Sequence, residues 1–504
     1  MNWFDSWALT LAVFIPLVGM AVVLFIPRDE ETALKTTALV ATAASLAVGI
    51  AILFRFDYDK SGLQMVVDKP WIDVIHSRYH VGIDGISLPL LLMTMVVTVG
   101  CVVYSWNHFP HPHNPKAFLA LTLLLETGML GTFVAQDLIL FFIFFEVVLL
   151  PMYFMIAVWG GPRREYASLK FFLFTLFGSA LMLLSFLALY WKLGTFDIVA
   201  LTELGGGELV RSTQMLIFAG MFVGFAIKVP MFPFHTWLPD AHTEAPTVGS
   251  VLLAAVLLKL GTYGFVRIAL PVLPDAAREW APWIGLLAVI GIIYGALGCL
   301  AQHDMKRLIA FSSVAHMGFV MLGIATLTTF GINAAIFGMV AHGLITGMLF
   351  FVAGSIQERY ETREMSRLGG LLTQAPRLGW IFGFLCMASL GLPGLAGFWG
   401  EFPAILSSYN PAAGVSEVTF RAYMVVAAIG TVLAAGYLLW MLQRVAFGTV
   451  KDEFKDLHVH DVHVPEWIAW IPLILLIVAL GIYPNLIFRV TDGSVGHVLR
   501  AFGG

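Results

Sequence analysis

Two lysines stand where an ammonium is expensive: Lys228 in FVGFAIKVPMFPFHTWLPD and Lys259 in VGSVLLAAVLLKLGTYGF. Inside a long apolar segment a cation must be partnered, hydrated or able to give up its proton. Both residues therefore point to a proton path. Pro230 and Pro233 interrupt the apolar run just after Lys228, and a helix broken at membrane depth frees backbone groups that need water or protein partners. Broken helices of this kind mark ion and substrate sites in transporters. Lys259 has Thr262 and Tyr263 three and four residues on, hence on its own helical face, and that polar stripe is expected to hold water. A desolvated lysine can release its proton, so Lys259 is expected to exchange one when a neighbouring positive charge moves away.

Glu146 lies within DLILFFIFFEVVLLPMYFMIAVW, where a carboxylate without a cation, a proton or water is strongly disfavoured. Lys228 is the candidate partner. Each charge favours the ionised form of the other while desolvation opposes both, which makes a pair able to toggle; a static buried pair is the alternative. His316 follows Ser312 and Ser313 by one turn, and His342 precedes Thr346 by one turn. Histidine relays protons in either tautomer, so the two are candidates for a hydrated chain, with a satisfied core histidine as the rival reading. Glu401 follows the second Pro/Gly interruption, LPGLAGFWGEF, and suits the exit of a path or the capping of a helix. Glu126, in LLLETGML, has no evident partner and fits function and packing equally.

Other constellations carry less. His235 and His242 flank WLPDA, and His458, His460 and His463 alternate in LHVHDVHV; solvated helix ends and a polar loop edge explain them better than a metal. Cys101, Cys299 and Cys386 are too dispersed for a cluster. No Walker A loop and no GxGxxG after a strand is present, so nucleotide hydrolysis and electron transfer are not located in this chain. No catalytic, cofactor-binding or metal-binding residue is expected in it.

The elements that must position these residues follow from composition. The chain is 59% hydrophobic, with 28 basic and 32 acidic residues among 504 and a net charge of -4, far below the charged fraction of soluble domains. It is expected to be an all-α polytopic membrane protein, its partner surface the lipid bilayer, with no basic stripe for nucleic acid. At about 20 residues per crossing, about fourteen spans begin near residues 7, 33, 88, 116, 137, 166, 213, 247, 282, 307, 333, 376, 420 and 466. The first is read as a retained helix, lacking a basic leader and cleavage motif.

An internal repeat pairs KVPMFPFHTW with GLPGLAGFWGEF and AAVLLKLGTYGFVRI with AAIGTVLAAGYLLWML. A unit of five helices must insert upside down the second time, giving two inverted repeats, each with a broken helix. The expected division is 1–115 (helices one to three and an extracytoplasmic loop), 116–272 (first repeat), 273–445 (inverted second repeat) and 446–504 (a loop and helix fourteen). Arg163, Arg164, Lys306, Arg307, Arg359, Arg363, Arg367, Arg377, Arg444, Lys451 and Lys455 fall in odd-numbered connections, which the positive-inside rule assigns to the cytoplasm. Both termini are then expected outside, although Arg55, Lys60, Lys69 and Arg78 in the first long loop run the other way.

The run from KVPMFPFHTWLPDAHTEAPTVGS to GTYGFVRI, with YHVGIDGISLP and FFEVVLLPMYFMIAVWGG, resembles the antiporter-like membrane subunits of respiratory complex I, in particular chain M, over essentially the whole sequence. That resemblance implies a proton channel through Glu146, Lys228, Lys259, His316, His342 and Glu401, driven by redox chemistry elsewhere in a proton-pumping NADH:quinone oxidoreductase. Sister chains usually carry lysine at the last position, so Glu401 favours the M type. It implies no cofactor in this chain, with FMN, iron-sulfur clusters, NADH and quinone held by partner subunits. It also implies other complex I membrane subunits as neighbours, sister antiporter-like chains among them, and a bacterial-type inner membrane. Related subunits in multisubunit cation/proton antiporters and membrane-bound hydrogenases form the alternative.

Overall fold

A computed structural model describes residues 3–502. In chain order its main elements are α1 (Trp3–Phe25), α2 (Glu31–Arg55), β1 (Gln64–Ile72), β2 (Ser77–Ile83), α3 (Ser87–Tyr104), α4 (Pro115–Val134), α5 (Leu138–Trp159) and α6 (Arg164–Leu193). There follow α7 (Arg211–Lys228), α8 (Trp237–Glu244), α9 (Thr247–Val272), α10 (Pro274–Leu300), α11 (Met305–Ala325) and α12 (Thr329–Tyr360). The last are α13 (Pro376–Ser389), α14 (Ala396–Ser407), α15 (Glu417–Ala446), α16 (Val464–Ile482) and α17 (Asn485–Val498). Among the described residues, twelve helices are long and apolar enough to cross a membrane.

Burial separates an inner set from an outer one. The most apolar windows of α9 and α12 are 100% buried within the chain, against 33% for α2. Helices that present apolar side chains outward on a polytopic chain face lipid, whereas those enclosed by other helices can carry charge only with internal partners. The candidate residues lie on or against this inner set.

Among the described residues, two long irregular breaks interrupt the helices at membrane depth. Between α7 and α8 the chain runs through Val229–Pro233 and a short 3-10 turn, Phe234–Thr236. The freed carbonyl of Ile227 accepts the indole N–H of Trp237 at 2.9 Å, and that of Ala226 accepts the Met231 amide at 2.9 Å. Between α13 and α14, Gly391 and Gly394 take φ of +82° and +95°, a region that glycine enters without strain. There Trp399 donates to the Gly481 carbonyl of α16 at 2.8 Å. In the first break a tryptophan secures backbone that the interruption exposed, and in the second a tryptophan ties the start of α14 to the end of α16.

Three features depart from the expectations. The chain is not all-helical: β1 and β2 form a two-stranded antiparallel sheet between α2 and α3, where MVVDKPWI and SRYHVGI are rich in the β-branched and aromatic residues that favour strands. Helix α10 begins at Pro274, not near 282; its first turns carry Asp275, Arg278 and Glu279, so an apolar count starts too late, while a proline at the first helical position costs nothing. The amphipathic α17 was not anticipated. It buries Ile487, Thr491, Ser494, Val495 and Val498 and leaves Asn485, Leu486 and Arg489 exposed.

Candidate functional site

Helix α9 is built around Lys259. The turns Leu253–Leu257 and Phe265–Ala269 are π-helical on either side of it, and π-bulges widen a helix where a side chain must reach its own backbone or a neighbour. The Lys259 ammonium, fully buried, donates to the Ala254 carbonyl in the first π turn at 2.6 Å and to His342 Nδ1 on α12 at 2.6 Å. With Lys259 protonated, the second contact needs an unprotonated Nδ1, which leaves Nε2 to carry the hydrogen of a neutral ring. His342 Nε2 is buried without a protein partner.

The other histidine faces the second broken helix. His316 Nδ1 on α11 lies 2.5 Å from Glu401 Oε1 on α14. Its Nε2 meets the hydroxyls of Ser389 at 3.3 Å and Tyr437 at 3.2 Å. The two histidine rings stand 5.8 Å apart between centroids. A cavity of about 20 Å³ beside them is lined by His316, His342, Thr346, Ser389 and Glu401, and that is room for about one water with several polar partners. Close approach of α12 and α14 makes this possible: a Cβ on Gly400 would fall 2.5 Å from the Gly338 Cα.

Glu146 and Lys228 are neighbours without direct contact. Helix α5 has a turn at Val148 just after Glu146, ahead of Pro151, and Glu146 is only partly buried. The buried Lys228 ammonium has no hydrogen-bond partner and sits 4.7 Å from the centroid of the Phe145 ring, a cation–π contact beside Glu146. Lys228 is tied to the Lys259 helix through Gly261, where a Cβ would meet Lys228 Cβ at 3.1 Å and the Phe225 carbonyl at 2.8 Å.

Several expected contacts are rearranged. Ser312 and Ser313 bond the Ile309 carbonyl of their own helix, and Thr262 bonds the Lys259 carbonyl and Met339 sulfur. The Tyr263 hydroxyl donates to Phe133 O at 2.8 Å, so the polar stripe of α9 is closed by protein groups. His235 stacks near Phe232 and Tyr294, and His242 on Phe350 at 4.5 Å. The rings of His458, His460 and His463 follow one another at 5.0 and 5.7 Å. Among the described residues no three His, Cys, Asp or Glu side chains converge in a way that could hold a metal. Glu126 is fully buried with both oxygens unpartnered, and the three cysteines are buried and free.

Some participants were not singled out in the sequence. Ser389 and Tyr437 lie on separate helices far along the chain, and nothing local signals their convergence on His316. The sequence places Lys306 among the loop cations, but it is 2% exposed and donates to the Ala245 carbonyl, because α11 starts at Met305 and turns it inward. Arg267 pairs with Asp84 at 2.5 Å, both buried, and also donates to Tyr263 at 3.1 Å; the i+4 spacing from Tyr263 was its available signal.

A many-helix bundle with two charge-bearing breaks and a buried lysine–histidine contact defines a polytopic membrane protein of the discontinuous-helix class. Residues 135–434 match the family described as NADH:quinone oxidoreductase/Mrp antiporter, TM. The chain is 41% identical over 498 residues to NADH-quinone oxidoreductase subunit M of Rickettsia prowazekii, covering 98% of this chain and 99% of that one. It belongs to the NADH-quinone oxidoreductase subunit M family. A chain in the structure of respiratory complex I from Thermus thermophilus with bound NADH superposes with a TM-score of 0.87 at 28% identity, over 98% of this chain and 100% of that one. A chain of the Mrp complex from Dietzia sp. DQ12-45-1b shares the fold, with a TM-score of 0.87 at 19% identity and full coverage of both, 100% each.

Proposed function

We propose that this chain is the proton-translocating M subunit of a membrane-bound NADH:quinone oxidoreductase, moving protons through Glu146, Lys228, Lys259, His342, His316 and Glu401. The observation that carries the reading is the pair of contacts on either side of one water-sized cavity: Lys259 to His342 at 2.6 Å and His316 to Glu401 at 2.5 Å. A redox event in partner subunits, which hold FMN, iron-sulfur clusters, NADH and quinone, perturbs Glu146 and moves the Lys228 charge from the Phe145 face. The altered field makes Lys259 give its proton to His342 Nδ1, and the imidazolium releases its other proton from Nε2 into the cavity. Glu401, oriented by His316, receives it. Loss of the proton from Glu401, return of His342 from its Nδ1–H to its Nε2–H tautomer and reprotonation of Lys259 together reset the path. Each outward proton needs about 2.3 kcal/mol per 100 mV, supplied by the redox partners.

Fourteen crossings fit this reading, counting the twelve continuous helices and the two broken ones, α7/α8 and α13/α14. Residues 116–272 and 273–445 then form two inverted five-helix repeats, flanked by 1–115 and 446–504. The membrane is a bacterial inner membrane with both termini outside, and the neighbours are other complex I membrane subunits, sister antiporter-like chains included. The decisive test is NADH-driven proton pumping and NADH:quinone turnover in membranes whose assembled complex carries Lys259→Ala, with assembly checked on a native gel. Loss of pumping is expected; wild-type pumping and turnover would overturn the role of Lys259.

A further inference from the structure

An apolar slot of about 520 Å³ opens on the outer surface between α2, α3, α12 and α16, within the size range of built ligand sites. Its walls are Leu46, Leu92, Val96, Val340, Leu344 and Leu476, and its mouth carries Tyr58, Tyr483, Asn485 and Arg489. The mouth lies where α2 ends, α3 begins and α17 starts, at one edge of the bundle. From Leu88 to Val96 the α3 wall descends roughly 12 Å at 1.5 Å per residue, so the slot runs from that edge toward the middle of the span.

We infer that the slot holds one phospholipid, its acyl chain among the leucines and its phosphate on Arg489. Charge complementarity carries the choice of occupant. Arg489 is exposed and makes no salt bridge or hydrogen bond among the described residues; its guanidinium lies 5.9 Å from the Tyr58 ring. The nearby acid, Asp492, is engaged by Asn333 at 2.8 Å. An arginine without a salt bridge, beside two tyrosines at the mouth of an apolar slot, suits a phosphate above a hydrocarbon tail. The inner end of the slot has a further consequence: Val340 and Leu344 flank His342 on α12, and the Met93 sulfur would fall 2.3 Å from a Cβ on Gly343. A seated tail therefore closes the lipid side of α12 at the depth of the Lys259–His342 contact.

The test uses the purified whole assembly, delipidated in detergent, with phospholipid per complex counted by native mass spectrometry during titration with phosphatidylglycerol. Wild type is expected to regain one phospholipid that Leu92→Trp, which fills the slot, does not take up at any concentration tested. Arg489→Gln is expected to need roughly tenfold more lipid for the same occupancy, and inorganic phosphate alone is not expected to displace the lipid. Equal titrations for wild type and both variants would overturn the proposal, as would a map of the assembly with a neighbouring subunit's helix in the slot. The lipid count does not depend on the proton path, so its failure and that of the proposed function are separable.

Discussion

Glu401 on α14 meets His316 on α11 with Oε1 2.5 Å from Nδ1, and that contact binds the second broken helix to the inner set. Because Ser389 and Tyr437 occupy the other nitrogen of the ring, His316 has a fixed orientation and Glu401 a fixed partner. The carboxylate is thereby placed on the wall of the cavity it shares with His342.

Glu401→Gln keeps the shape and an acceptor oxygen for His316 but cannot hold a proton. Pumping per NADH oxidised is expected to fall by roughly tenfold or more, since a positioned proton acceptor contributes on the order of a hundredfold. Acidification of inverted vesicles measured beside NADH oxidation checks this. A merely structural carboxylate would leave the pumping ratio intact in Glu401→Gln.

Lys259→Arg separates a fixed charge from a mobile proton. Arginine keeps the cation and can still donate to Ala254 and His342, but it does not deprotonate in proteins. The Arg variant is expected to pump as poorly as Lys259→Ala, while assembling at least as well because the buried polar partners stay satisfied. Pumping near the wild-type level in Lys259→Arg would mean that the charge acts only as a static field.

Gly400→Ala tests the close approach of the two inner elements without touching a charge. Its Cβ would stand 2.5 Å from the Gly338 Cα, backbone that cannot rotate away. Overpacking of this kind costs about 1–3 kcal/mol, and widening the gap also separates Glu401 from His342. Lower yield of assembled complex on native gels and a lower melting temperature are the expected results; an unchanged melting temperature would mean that the two helices part without cost.

Asp197 supplies a pH-dependent anchor outside the spans. Burial pushes its carboxyl up, but hydrogen bonds from His80 at 2.6 Å and from the Ala200 amide at 2.8 Å outweigh it, and the net shift is downward. A group lowered in the folded state stabilises above its ordinary value of 3.8 and loses that contribution as pH falls through the folded value. Asp197→Ala also removes the N-cap of Ile198–Leu204, a loss of about 1 kcal/mol. Hydrogen exchange of that helix is expected to be faster in the variant at pH 7, with the difference shrinking below about pH 4. A constant difference across that range would exclude the carboxylate as its source.

Much of the site was legible because membranes make polar residues conspicuous: Lys259, Glu401 and the histidines stand out against apolar runs, and the prolines beside Lys228 announce a break. What could not be read is what those residues touch. Charge alone pairs Lys228 with Glu146, yet its ammonium rests on the ring of Phe145, the residue before Glu146. Ser312 and Ser313 share a helical face with His316 but satisfy their own backbone, the usual competing partner for a mid-helix serine. Ser389 and Tyr437 reach His316 only through packing of distant helices. The β1–β2 hairpin was hidden for another reason: in a chain dominated by helical hydrophobicity, a half-exposed strand pair has little contrast.

The buried pair Arg267–Asp84 anchors the end of the lysine-bearing helix. Their nitrogen and oxygen stand 2.5 Å apart with side chains 7% and 5% exposed, while Asp84 also accepts the amides of Ile86 and Ser87 at the start of α3. Asp84→Asn keeps an oxygen for those amides and removes only the charge, leaving a buried guanidinium uncompensated, which costs about 3–5 kcal/mol. Adding Arg267→Met removes the stranded cation, and Tyr263 keeps its bond to Phe133, so the double variant is expected to recover most of the loss. Melting of the assembled complex should therefore rank wild type above the double variant and the double variant above Asp84→Asn. If the double variant melts below the single, the guanidinium is held by Tyr263 and the aromatic surroundings rather than by Asp84, and the end of α9 is anchored by packing.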